Sequence, residues 1–207
     1  DNWREPRVTN KPTPEARRQA IMKAAIVVFA QHGFDAATTD DIARAAGLSK
    51  GGLYWHFKSK DDILAAILMQ LFDQELGVLQ DLLATEGAVA PRLRQLVAQA
   101  IAAVLQLEQL LPVMLEFYAL AARKSDVRQF LQQYYQRYHR LLALLFTQGF
   151  ARGELHHGTA EAAAIALIAQ LEGLGLLWAI VPELVHLADQ AESAVDLLLR
   201  GLMAADA

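Results

Sequence analysis

Apolar residues recur at three- and four-residue intervals along nearly the whole chain, and no segment sustains the period-two alternation of a half-buried strand. The pattern predicts an all-α protein of about nine helices. Pro14 suits a first turn, and Ile21, Ala24, Ala25, Val28 and Phe29 then repeat at helical spacing to His32, where Gly33 closes the first helix. Two short helices should follow, on either side of Gly47. Ser59 and Asp62 form a capping box that opens a long fourth helix through Ile63, Ile67, Leu71, Leu76 and Leu79 to about residue 83. Further helices are expected over 91–107 and 110–124, then from a Ser125 cap to about 152, with Gly153 ending that last one. A Thr159 cap opens a strongly apolar helix to about 181, Pro182 breaks it, and a final helix begins at Glu183 or Asp189 and runs to Met203.

The segment from Thr38 to Asp62 carries the densest set of local signals. Thr38 is an N-cap and Asp41, three residues on, returns the bond, so the second helix starts near Thr39. Ala43 and Gly47 lack bulk, which lets the next helix cross close over this one, and Gly47 supplies a positive φ at the turn. Ser49 caps the third helix. Ile42, Ala46, Leu48, Leu53 and Phe57 form the inward set, leaving Lys50, Gly51, Gly52, Tyr54, Trp55 and His56 outside or at the rim. Two short helices about a glycine turn, with a cation and aromatics outward, make a helix-turn-helix suited to a phosphate-lined groove.

Charge sharpens this picture. The net charge of −4 is unusual for a nucleic-acid binder, yet residues 1–60 hold ten Lys/Arg against six Asp/Glu, while residues 61–207 hold nine against seventeen. The basic head attracts phosphate and the acidic body is kept off it. With no cysteine, disulfides, thiolate zinc sites and cysteine catalysis are excluded, and the composition fits the cytoplasm. The first twenty residues include Arg4, Arg7, Lys11, Arg17 and Arg18 without an apolar core, so no leader is expected there.

The string A-x-x-A-G-L-S-K-G-G-L-Y-W-H-F-K-S-K-D-D-I-L resembles the DNA-binding signature of TetR-family transcriptional regulators, from about Arg17 to Met69. Residues 1–13, polar and interrupted by proline, are expected to form a flexible arm; the resemblance implies a three-helix DNA-binding domain over 14–60 and a helical ligand-binding and dimerising domain over 61–207. It further implies a repressor that binds a palindromic operator as a homodimer and is released by a small molecule. Thr39, Tyr54, His56 and Lys60 match phosphate-holding positions, and Lys50, Gly51 and Gly52 match positions that face bases; Ser49 and Trp55 complete the DNA-binding candidates. The last two helices would pair with their copies, and Leu171, Leu174, Gly175 and Trp178 are the candidate interface. A helical ligand-binding or scaffolding protein with a non-functional helix-turn-helix is the alternative.

In the body, Glu116, Tyr118, Tyr134, Tyr138, Gln170 and Glu172 are polar or amphipathic among many apolar neighbours, the mixture that lines a ligand cavity. An unpaired buried carboxylate there points to a cationic, amphipathic effector. Residues 162–181 are long and apolar enough to span a bilayer, but Gln170 and Glu172 fall mid-run, so a helix buried all round is expected instead of a membrane partner. His156 and His157 are adjacent, a spacing that does not converge on one ion, so no metal and no cofactor are expected. No P-loop, dinucleotide fingerprint or H-E-x-x-H is present, which argues against an enzyme.

Overall fold

A computed structural model describes residues 13–106 and 111–203; the side chains at positions 106, 111–114 and 116 lie outside that description. The described residues form nine helices and no strand: α1 (Pro14–Ala36), α2 (Thr39–Ala45), α3 (Lys50–Tyr54), α4 (Lys60–Ala84), α5 (Val89–Gln106), α6 (Leu111–Arg123), α7 (Ser125–Ala151), α8 (Ala160–Ile180) and α9 (Leu187–Met203). They fall into two compact units, residues 1–67 and 68–207, so the first turns of α4 belong to the N-terminal unit.

The N-terminal unit is built by its caps. Thr13 accepts from the Ala16 amide and starts α1, and Gly33, with φ 74°, interrupts the helix where the sequence places its end. A further turn to Ala36 follows, closed by the Ala37 amide on the Gly33 carbonyl. Thr38 and Asp41 form both halves of a capping box on α2. At its other end Gly47, with φ 66°, places the Leu48 amide on the Ala43 carbonyl and its own amide on that of Arg44. A side chain in that left-handed conformation costs about 1–2 kcal/mol, so glycine fixes the turn. Ser49 caps α3 through the Gly52 amide. Ile21, Ala25, Phe29, Ile42, Leu53, Phe57, Ile63 and Leu64 are fully or nearly fully buried and form the core of this unit.

In the C-terminal unit α7 packs on α8, α6 and α5, while α9 lies against α5 and α8. Ser125 does not cap α7, contrary to the sequence reading; the capping position is Lys124, without a side-chain bond. One residue separates α6 from α7, so Lys124 closes the first helix with its amide on Leu120 and opens the second with its carbonyl to Arg128. The Arg128 guanidinium covers the free Ala121 and Ala122 carbonyls at the end of α6. Thr159 caps α8 through the Ala162 amide, as its sequence position implies.

The expectation that α8 is buried all round is corrected. Its buried residues, Ala160, Ala163, Ala164, Leu167 and Ile168, are confined to one face of its first half. Ile165, Leu176 and Ile180 are at least half exposed and Leu177 nearly so. Length and composition alone would let α8 cross a membrane, the one such helix among the described residues.

Candidate functional site

The exposed side of the helix-turn-helix brings together most of the residues singled out in the sequence. Trp55 is 72% exposed and Tyr54 42%, unusual for rings of that size on a folded unit. Their positions are fixed. The Tyr54 hydroxyl lies 3.1 Å from the Thr39 hydroxyl, tying α3 to the first turn of α2, and the Trp55 and His56 rings meet edge to face at 4.6 Å. From behind, Arg18 of α1 stacks over Phe57 at 4.2 Å and reaches the His56 carbonyl. A hollow of about 430 Å³ beside them is lined by Pro14, Arg17, Gly51, Gly52, Trp55 and His56.

Lys50 stands on the first turn of α3, and its ammonium is 2.9 Å from the Asp40 carboxylate of α2. That hydrogen bond and the charge beside it raise the Lys50 pKa, so the cation keeps its proton. The pair is exposed on both sides, the setting in which ion pairs contribute least and exchange partners most readily. Ser49 is engaged as a cap. The two glycines differ: a Cβ on Gly51 would meet nothing within 4 Å, whereas one on Gly52 would come within 3.3 Å of Ser49 Oγ. The fold therefore constrains position 52 and leaves 51 open.

Lys60 sits differently from what the sequence suggests. Its ammonium donates to the carbonyls of Phe34, Asp35 and Ala37 at 2.7, 2.9 and 3.3 Å and lies over the Phe34 ring. All three of its protons are used inside the unit, holding the end of α1 to the start of α4. Phosphate holding by Lys60 would require giving up these bonds.

The C-terminal unit gathers a second set. Glu172 of α8 accepts from the Tyr118 hydroxyl of α6 at 2.9 Å and the Tyr135 hydroxyl of α7 at 2.7 Å, and these two hydroxyls are 3.0 Å apart. Glu75 of α4 accepts from the Tyr134 hydroxyl at 2.6 Å. The Tyr138 hydroxyl is buried without a hydrogen-bond partner, and the charge of the same carboxylate acts on it. Burial raises the pKa of Glu75 despite the phenols that hold its charge, and the charge of Glu172 raises it further. All four tyrosines are pushed up, first by burial and then by a neighbouring carboxylate.

Phe72 packs against Tyr134, Phe117 and Phe130 at ring distances of 4.4 to 6.0 Å, so the polar cluster is set in an aromatic patch. Of the predicted cavity residues, Tyr118, Tyr134, Tyr138 and Glu172 meet here. Gln170 does not: two residues from Glu172 on a helix, it lies on another face, with its buried carbonyl oxygen unpaired. The Glu116 side chain lies outside the described residues. Glu75 and Tyr135 were missed, the first because its interval resembles a solvent position of a long linking helix.

Helical phase also separates the predicted interface residues from the open face of α8. Leu171, Leu174 and Trp178 share the side of Ala160, Ala163 and Leu167 and are half-buried, as is Gly175. The exposed stripe is Ile165, Ala169, Leu176 and Ile180. Among the described residues no three metal-binding side chains cluster; the His156 and His157 amides both donate to the Leu202 carbonyl.

A capped helix pair about a glycine turn, presenting a cation and large rings and followed by an all-helical body, is the build of a helix-turn-helix transcriptional regulator. Residues 21–67 match the family of bacterial regulatory proteins known as tetR, and residues 89–204 match the C-terminal region of BetI-type transcriptional repressors. The chain is 30% identical over 199 residues to the HTH-type transcriptional regulator TtgR of Pseudomonas putida, covering 92% of each. A putative transcriptional regulator from Pseudomonas aeruginosa PAO1 superposes with a TM-score of 0.75 at 26% identity, covering 93% of each chain. SmeT, the repressor of the Stenotrophomonas maltophilia multidrug efflux pump SmeDEF, solved as a complex with triclosan, gives 0.75 at 25% identity over 91% of this chain and 92% of that one. The chain belongs to the TetR family of transcriptional regulators.

Proposed function

We propose that the protein is a repressor which binds a near-palindromic operator as a homodimer and is released when a small molecule occupies the C-terminal unit. The observation that carries the reading is the pinned, outward array of Lys50, Tyr54 and Trp55 on α3, on a chain related to TtgR over nearly its whole length. Two copies of α3 would enter successive major grooves about 34–36 Å apart. Arg17, Thr39, Tyr54 and His56 would take phosphates, and Trp55 would pack along the backbone. Lys50, exchanging Asp40 for a guanine edge, would read sequence, and Gly51 would let the helix approach the bases closely.

Affinity would come mainly from counterion release, with shape of the duplex adding to a sparse set of base contacts. Domain limits near 1–13, 14–60 and 61–207 follow from this reading, with the start of α4 serving the DNA-binding unit. The uncovered stripe of α8, together with α9, would form the dimer. As a reader of bacterial DNA the protein would act in the cytoplasm. The SmeT–triclosan complex supports a ligand-responsive relative.

The test is a mobility shift with the DNA upstream of the protein's own gene over a range of salt. Affinity should fall steeply as salt rises, and Lys50→Ala should relax the preference for one base per half-site at a cost of about 1–3 kcal/mol. Binding that is absent, or blind to both salt and sequence, would favour the scaffolding alternative.

A further inference from the structure

Four helices contribute to one acidic, aromatic cluster: Glu75 from α4, Tyr118 from α6, Tyr134, Tyr135 and Tyr138 from α7, and Glu172 from α8. We propose that this cluster binds an organic monocation with an apolar body, held between Glu75 and Glu172 and against the tyrosine rings. Naming that ligand as the effector rests on the regulator reading above; the binding site itself does not.

Three observations carry the inference. The first is uncompensated charge. Phenol hydroxyls disperse the charge of a carboxylate but do not neutralise it, and among the described residues the side chains that donate to Glu75 and Glu172 are tyrosine hydroxyls. Two carboxylates coupled in this way repel, and a cation placed between them relieves both. The second is Tyr138, 3% exposed, whose buried hydroxyl has no hydrogen-bond partner although the Glu75 carboxylate acts on it. A hydrogen-bond network serving only the fold would have satisfied it.

The third is the setting. Tyr134 stacks on Tyr138 at 5.6 Å, meets Tyr135 at 5.0 Å and Phe72 at 4.4 Å, so ring faces and edges surround the carboxylates. Such walls attract organic cations through the ring quadrupole and bury their apolar bodies. For a metal ion the cluster supplies two carboxylates, and among the described residues no three His, Cys, Asp or Glu side chains gather. An anion would add negative charge beside the two carboxylates, and a neutral ligand would leave their coupling in place.

The site is also reached from outside. Glu172 is exposed, Tyr118 is 38% exposed, and in a single chain Tyr135 borders an open groove of about 590 Å³ between α7 and α8, with His139, Arg140, Glu161 and Ile165, the last of which the proposed dimer would cover. Glu172 therefore stands at the entrance and Glu75 at depth.

Titration calorimetry on the full chain with tetraphenylphosphonium and with tetraphenylborate, ions of one shape and opposite charge, tests the proposal. The phosphonium should bind and the borate should bind roughly tenfold or more weakly. Glu75→Gln should lower phosphonium affinity by roughly tenfold or more. Glu172→Gln, at an exposed position, should lower it several-fold and stands as the test if circular dichroism finds the Glu75 variant unfolded. Equal affinity for the two ions, or an unchanged phosphonium affinity in Glu172→Gln, would overturn the site. Phosphonium that binds and dissociates the operator complex would make the cation an effector. A protein that takes the cation yet binds no operator would leave this inference standing and defeat the regulator reading.

Discussion

Lys60 illustrates how a single side chain can exchange one role for another. The sequence reading makes it a candidate for holding phosphate, whereas in the fold its three protons serve the carbonyls that end α1. Lys60→Ala would remove the donor from three acceptors, two of them part-buried, so the N-terminal unit should lose about 1–3 kcal/mol, read as a lower urea midpoint. DNA binding measured well below the midpoint should then change little; a large loss at full stability would return Lys60 to the contact surface. Gly51 makes the opposite case. A Cβ at this position would have open space for 4 Å around it, so Gly51→Ala should raise the stability of the helix by up to about 1 kcal/mol. If the backbone lies close to the bases, the same methyl group should weaken operator binding in a mobility shift. A variant that is more stable and binds equally well would show that closeness is not needed at this position.

At the scale of elements, caps were the most legible feature and faces the least. Thr38 with Asp41, Ser49 and Thr159 sit where their residue type and spacing put them, because a cap is a local bond within four residues. Ser125 misled for a related reason: it has the right chemistry, but a one-residue link left the capping position to Lys124. The apolar run of α8 gave its length correctly and concealed its sidedness. Where nearly every residue is apolar, periodicity cannot distinguish the half that the chain buries from the half that it leaves open, and the candidate interface residues lie on the half-buried side. The tyrosine cluster was half legible, through residues on α6, α7 and α8; Glu75 required knowing which face of α4 turns inward. From the open stripe of α8 follows that Leu176→Arg, or Ile165→Arg, should shift a dimer to monomer in sedimentation velocity. Leu174→Arg, on the inner side, should instead lower the melting temperature. Identical behaviour of the outer variants and the wild type would remove α8 from the interface.

For the molecule as a whole, the cluster predicts a pH dependence of stability. Burial raises the pKa of Glu75, so the folded chain holds this proton more tightly than the unfolded chain does. Where the native state binds more protons, stability falls as pH rises. The loss should begin above the ordinary carboxylate value of 4.5 and continue until pH passes the raised value in the fold. Urea unfolding from about pH 5 to 8 should show this slope in the wild type and a flatter one in Glu75→Gln. Parallel profiles would mean that Glu75 titrates normally.

Because a single chain leaves Ile165, Leu176 and Ile180 in water, the amount of protein becomes a control variable in its own right. If a second copy covers that stripe, assembly follows mass action: dilute chains would melt at a lower temperature than concentrated ones, and operator occupancy would rise more steeply than in proportion to the number of chains. A cell could then silence its target by a modest increase in synthesis, and release it by dilution through growth, with no ligand present.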